Sequence, residues 1–112
     1  MKKIEAIVRF SKFEDVKEAL ENIGVYFFTY LQVNGHGTEK GDTVTYRGAV
    51  YDSGDIPRIL IEIVVTDEKS DEVIEAILEH GKSGKIGDGK VIVTSVEKFY
   101  RIRTGEEGKG AL

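Results

Sequence analysis

Arg58-Ile59-Leu60-Ile61-Glu62-Ile63-Val64-Val65 is the stretch that decides the fold. A β-branched apolar residue stands at every second place, at Ile59, Ile61, Ile63 and Val65. Alternate side chains of a strand share a face, so these four line one side and Arg58, Leu60, Glu62 and Val64 the other. The period then changes. Val73, Ile74, Ile77 and Leu78 recur at helical spacing over residues 67–80, and Gly81 stands where such a helix stops.

The same pair of patterns occurs upstream. Ile4, Ala6, Val8 and Phe10 alternate with Glu5 and Arg9, which predicts a strand over 4–10. Ser11 and Glu14 have the spacing of a capping box, in which each side chain satisfies an orphan N–H at a helix start. Phe13, Val16, Leu20 and Ile23 follow at helical spacing, with Gly24 placed as a C-terminal cap. Residues 25–36, rich in aromatic and β-branched types, predict a second strand, and residues 90–100 a fourth. The order β-α-β-β-α-β is the ferredoxin-like split arrangement, an α+β fold. It places two helices on one face of a four-stranded antiparallel sheet. The other face, expected to carry Tyr26, Phe28, Tyr30 and Leu60, then needs a cover. About twenty residues, 37–57, join the second and third strands. A connection of that length is usually functional, and its glycines and charges read as a mobile, partner-facing loop.

The chain has 112 residues, the size of one domain over 1–112. Its net charge of −4 argues against nucleic-acid binding, which needs a basic field. It has no cysteine, which excludes disulfides and zinc–thiolate sites. No segment approaches the roughly 18 apolar residues of a membrane span, and no apolar leader follows Met1. A cytoplasmic protein without membrane insertion is the expectation.

Two runs stand out chemically. Ser83-Gly84-Lys85-Ile86-Gly87-Asp88-Gly89-Lys90 interleaves three glycines with two lysines. It reads either as a turn into the last strand or as a nest of N–H groups flanked by point charge, an anion cradle. The Walker A spacing is absent. Arg101-Ile102-Arg103-Thr104-Gly105 puts two arginines two residues apart, on one face if the segment is a strand. They are either solvated strand-end charges or a planar fork for phosphate oxygens. His36 has no histidine or cysteine partner at metal spacing, and His80 closes the second helix, where a cation suits the dipole.

On the run 83–90, the Arg-x-Arg-Thr-Gly run, the Tyr46-Arg47-Gly48-Ala49-Val50-Tyr51 segment and the ending Gly105–Leu112, the chain resembles the PII signal-transduction proteins over nearly its whole length. The resemblance implies a homotrimer, not an enzyme, that binds ATP or ADP between subunits and reports nitrogen status. It implies a phosphate loop over 82–90, a C-terminal loop over 101–112 and a target-touching T-loop over 37–57. The implied nucleotide residues are Thr29, Gly35, Gly37, Thr38, Glu62, Val64, Gly87, Asp88, Gly89, Lys90, Arg101 and Arg103, the two arginines reaching in from a neighbouring subunit. The implied 2-oxoglutarate residues are Arg9, Glu39 and Arg58, with Glu39 also the candidate magnesium ligand beside the nucleotide. Tyr51 stands where many bacterial members are modified. The implied target is a membrane transporter, such as an ammonium transporter, or a nitrogen-metabolism enzyme.

The chain departs from the family pattern at several places. Glu39 replaces a glutamine, which sets a negative charge beside a dianionic ligand. Arg58 replaces a lysine, keeping charge but changing geometry. Thr38 replaces an arginine, and residues 51–57 are acidic where the family is apolar. These predict a weakened or absent 2-oxoglutarate response, and hence an alternative: a divergent adenylate sensor that regulates a different transporter. A small acylphosphatase-type hydrolase is a third reading, but no nucleophile–base pair is legible.

Overall fold

The computed structural model describes residues 1–36, 43–46, 49–52 and 56–112. A four-stranded antiparallel sheet is built from β1 (Lys2–Arg9), β2 (Thr29–Asn34), β5 (Pro57–Val65) and β6 (Lys90–Ser95), in the order β2-β5-β1-β6. Helices α1 (Phe13–Asn22) and α2 (Asp67–Gly81) cover one face. That is the ferredoxin-like arrangement expected from the alternation of 58–65 and its upstream counterpart. Ile4, Ala6 and Val8 meet Ile59, Ile61, Ile63 and Val65 across the central pair, and Val16, Leu20, Val73 and Ile77 close over them. All eleven are buried. Burial of an aliphatic side chain of this kind contributes about 1.5–3 kcal/mol.

The structure corrects the element ends. The capping box does not form. A 3-10 turn at Phe10–Lys12 precedes α1, Lys12 is the N-cap, and the cap position makes no side-chain bond. Ser11 and Glu14 therefore fall one place early, and Glu14 and Asp15 act on the helix dipole instead. At the other end Gly24 caps as expected. With φ +85 it lets its own N–H reach Glu21 O at 3.0 Å, and Val25 N–H reach Leu20 O at 2.9 Å. This is the paired-bond Schellman geometry, with Val25 packed in the core beside Leu20. That turn consumes the start of the expected second strand, so β2 begins only at Thr29. Gly81 is the last residue of α2 rather than a left-handed cap. A Cβ there would touch Val16 and Val8 side chains at 3.5 Å, so its smallness serves close packing of α2 on α1 and β1. The fourth strand ends at Ser95, not at 100, because its partner β1 begins only at Lys2, opposite Ser95.

The open sheet face also differs from the expectation. Tyr30 pairs with Ile61 and stacks on Phe13 at 4.7 Å, so it lies on the helix side. Phe28 packs against the core as well, while Tyr26 precedes the strand and is exposed. Leu31 faces Leu60 across the ladder, so Leu60 keeps its expected place and Leu31 takes the one given to Tyr30. A strand of period two that is read one residue out of register exchanges its faces. Within 37–57 the described residues include a two-stranded ladder, β3 (Thr43–Tyr46) with β4 (Ala49–Asp52). The alternation Thr43-Val44-Thr45-Tyr46 and the two-residue spacing to Ala49 are its sequence signal.

Candidate functional site

The residues singled out in the sequence gather in two groups on the open face. The first lies where β1 ends and β5 and β6 begin. Arg9 and Arg58 are directly opposite in the β1–β5 ladder, and Lys90 is opposite Ile7 in the β1–β6 ladder. The segment from Ser83 to Gly89 curls over this corner. Arg9 Nε donates to Asp88 Oδ1 at 2.8 Å, and its Nη2 donates to the Ile86 carbonyl at 2.8 Å. Arg58, only 8% exposed, donates from Nη2 to the Gly87 carbonyl at 3.0 Å. Gly35 joins the group from the end of β2. Its N–H donates to Ile56 O at 3.1 Å, and a Cβ on it would lie 3.6 Å from Arg58 Cγ.

The glycines of the loop have different reasons. Gly84 and Gly87 hold φ of +83 and +100, which a side chain would strain. Gly89 instead passes so close to β1 that a Cβ would sit 1.4 Å from the Ile7 carbonyl oxygen. Asp88 is tied into the loop by Ser83, Gly84 and Arg9. Partial burial would raise its carboxyl, but bonds from Ser83, Arg9 and Gly84 outweigh that and hold it far below the usual carboxylate range. Among the described residues the exposed Lys90 ammonium has no acceptor, so its charge is available to an anion.

The second group lies toward the other end of β5. Thr29 is opposite Glu62, and both line a cavity of about 840 Å³ together with Val64 and Arg101. Lys3, Lys69, Tyr26, Phe27, Phe28, Phe99 and Leu112 also line it. Sequence reasoning did not select these seven. The aromatic run at 26–28 and Phe99 were read as strand residues, and Lys3 and Lys69 were not singled out. Glu5 and Glu62 face each other across the ladder, a like-charge pair that costs stability. Lys3 lies between them, its Nζ 3.7 Å from Glu5 and 3.9 Å from Glu62.

The arginine run is not a strand. Arg101 N–H donates to Glu106 O at 2.9 Å and Gly105 N–H to Arg101 O at 2.8 Å, closing a tight loop. Arg101 also pairs with Glu106 at 3.2 Å and reaches the Leu112 carbonyl at 2.8 Å. This bond and the burial of Ala111 dock the C-terminal residues, which by composition alone would read as a frayed end. Arg103 is exposed on the turn and does not line the cavity.

Four residues separate Arg58 from Glu62 along β5, about 13 Å at the rise of a strand. The two groups therefore lie side by side on the sheet of one chain, with no residue common to both. Gly37, Thr38 and Glu39 lie outside the described residues, and with Glu39 the magnesium expectation. Tyr51 is placed on β4, opposite Val44. No group of three or more metal-ligating side chains occurs among the described residues. No helix among them is long and apolar enough to cross a membrane.

A ferredoxin-like sheet with a glycine–lysine loop at one end of its open face and an aromatic, cation-lined cavity at the other defines a small candidate binding module. The family model described as Nitrogen regulatory protein P-II matches residues 1–106, and the chain belongs to that family. It is 51% identical to the Nitrogen regulatory protein P-II of Pasteurella multocida and 49% identical to that of Haemophilus influenzae, covering the whole of both chains in each case. It is 46% identical, again over both whole chains, to the Nitrogen regulatory protein P-II 1 of Escherichia coli. Members of the family are signal-transduction regulators rather than enzymes and bind adenine nucleotides generally. The family that matches is not that of the hydrolase reading.

Proposed function

We propose that this chain is a cytoplasmic nitrogen-signalling regulator, one domain over 1–112, that assembles as a homotrimer and binds ATP or ADP between copies. The observation that carries the reading is the split of the candidate residues into two half-sites on one open sheet face. Gly87, Gly89 and Lys90 of one copy receive the phosphates. Thr29, Glu62 and Val64 of a second copy, with the aromatic wall of its cavity, receive the adenine and ribose, and its Arg101 and Arg103 close over the phosphates. Lys3, Lys69 and Arg101 line the cavity, each paired with a carboxylate: Lys3 with Glu5 and Glu62, Lys69 with Glu72 and Arg101 with Glu106. The segment 37–57 carries the signal to a target, a transporter or a nitrogen-metabolism enzyme, by differential affinity between two states.

One observation favours an adenylate sensor without a 2-oxoglutarate response. Arg9 and Arg58, the two cations expected to hold that dianion, are already bonded to Asp88, Ile86 and Gly87. Calorimetric titration of ATP and ADP with magnesium, then of 2-oxoglutarate into the ATP-saturated protein, tests both readings. Nucleotide binding with no 2-oxoglutarate heat supports the adenylate sensor. Heat from both makes it a sensor of both ligands, and no nucleotide binding overturns the proposal.

A further inference from the structure

Asp88 was expected among the residues that touch the nucleotide, yet its carboxylate is spent inside the loop. Oδ2 accepts the N–H groups of Ser83 at 2.8 Å and Gly84 at 3.0 Å. Oδ1 accepts the Ser83 hydroxyl at 2.6 Å and Arg9 Nε–H at 2.8 Å. The Ser83 oxygen in turn accepts Lys85 N–H at 3.2 Å. The first turn of the loop is thus folded around one carboxylate. The next turn is held by its carbonyls, Ile86 O by Arg9 and Gly87 O by Arg58. A trans peptide points its N–H opposite to its C=O. Drawing the Ile86 carbonyl toward Arg9 therefore turns the Gly87 N–H the other way. Among the described residues the N–H groups of Ile86 and Gly87 have no acceptor.

We propose that Asp88, with Ser83 and Arg9, is a positioning residue for the polyphosphate of a nucleotide: it sets the loop so that the Gly87 N–H and Lys90 face the ligand, and does not touch the ligand itself. The inference rests on the nucleotide reading. Its physical content is a sign. A carboxylate near phosphates repels them, so a bystander aspartate replaced by asparagine gives tighter ATP binding. A positioning aspartate gives the opposite. The asparagine amide offers one oxygen and turns two N–H donors toward the N–H groups that Asp88 now satisfies. The loop then opens and the phosphate contacts weaken.

The test is calorimetric titration of ATP and of adenosine into the full chain, wild type beside Asp88→Asn, Ser83→Ala and Ser83→Thr. The expected result is an ATP affinity about tenfold or more weaker in Asp88→Asn and Ser83→Ala, the size of one lost charge-assisted bond. Adenosine affinity stays within about twofold, and Ser83→Thr, which keeps the hydroxyl, stays near wild type. Asp88→Asn binding ATP as tightly as wild type or tighter overturns the proposal. Equal loss for ATP and adenosine with a lowered melting temperature also overturns it, since the role is then only structural. Should Asp88→Asn fail to fold, the Ser83→Ala and Ser83→Thr pair makes the same discrimination. Wild-type protein that binds neither ATP nor inorganic tripolyphosphate overturns the nucleotide reading and this inference together.

Discussion

Gly89 has no room for a side chain. A methyl group there would overlap the Ile7 carbonyl, so the β1–β6 edge must part to accept it. Gly89→Ala is expected to cost about 1–3 kcal/mol or more, the range for overpacking, visible as a lower melting temperature with no ligand present. An unchanged melting temperature would mean that the close approach is absent in solution. Asp88 gives a pH signature. Its folded-state carboxyl is held far below its usual value, so its contribution is fully present above about pH 4 and is lost as pH falls below that. Acid unfolding of Asp88→Asn should therefore begin from a lower stability at neutral pH and fall less steeply below pH 4. Parallel curves for the two proteins would refute this. At this scale the sequence showed which residues share the loop, but not why each is there. Gly84 and Gly87 are glycines for their backbone angle and Gly89 for a neighbour 82 positions away in the chain, and a one-dimensional pattern looks the same in both cases.

Elements ended where partners did. The C-terminus of α1 was legible because its signal is local: a helix that reaches Gly24 closes with two backbone bonds whatever lies around it. Beyond its chain neighbours no atom lies within 4 Å of a Cβ placed there, so Gly24→Ala should cost only the left-handed backbone penalty, about 1–2 kcal/mol. A loss of several kcal/mol by denaturant titration would point instead to a contact at that position. The capping box of α1 was misread because the 3-10 turn at Phe10–Lys12 moved the helix start by one residue. Propensity in 25–28 and 96–100 favours strand, but the turn at Gly24 takes 25–28 away from a β5 edge that runs on to Val65, and β1 supplies no partner beyond Lys2 for 96–100.

At the scale of the molecule, the two half-sites make a prediction that depends on assembly. If the nucleotide lies between copies, Lys90→Ala removes one side of every site and Arg103→Ala the other. Each variant alone should lose about tenfold or more in ATP affinity. Mixed trimers re-formed from both variants contain some junctions with an intact Lys90 facing an intact Arg103. They should recover a fraction of high-affinity sites by calorimetry. No recovery, in mixtures shown by mass spectrometry to have exchanged subunits, would place the site within one copy. The core carries the complementary prediction. Leu20 is fully buried beneath the sheet face, and Leu20→Ala should cost about 2–5 kcal/mol without altering the loop at 83–90.

The sequence by itself determined the helix-and-strand order, the buried face of the central strands, the Gly24 cap and the membership of the loop at 83–90. Each of these is written in a short period or a local turn rule. Only the tertiary structure decided which aromatics face the helices, where the outer strands stop, that Arg101 and Arg103 sit on a closed turn, and that Asp88 is consumed by Ser83, Gly84 and Arg9. Those outcomes depend on register and on contacts between residues far apart in the chain. A strand shifted by one residue keeps its composition and exchanges its faces, and a carboxylate is bound by whichever donors the fold delivers to it.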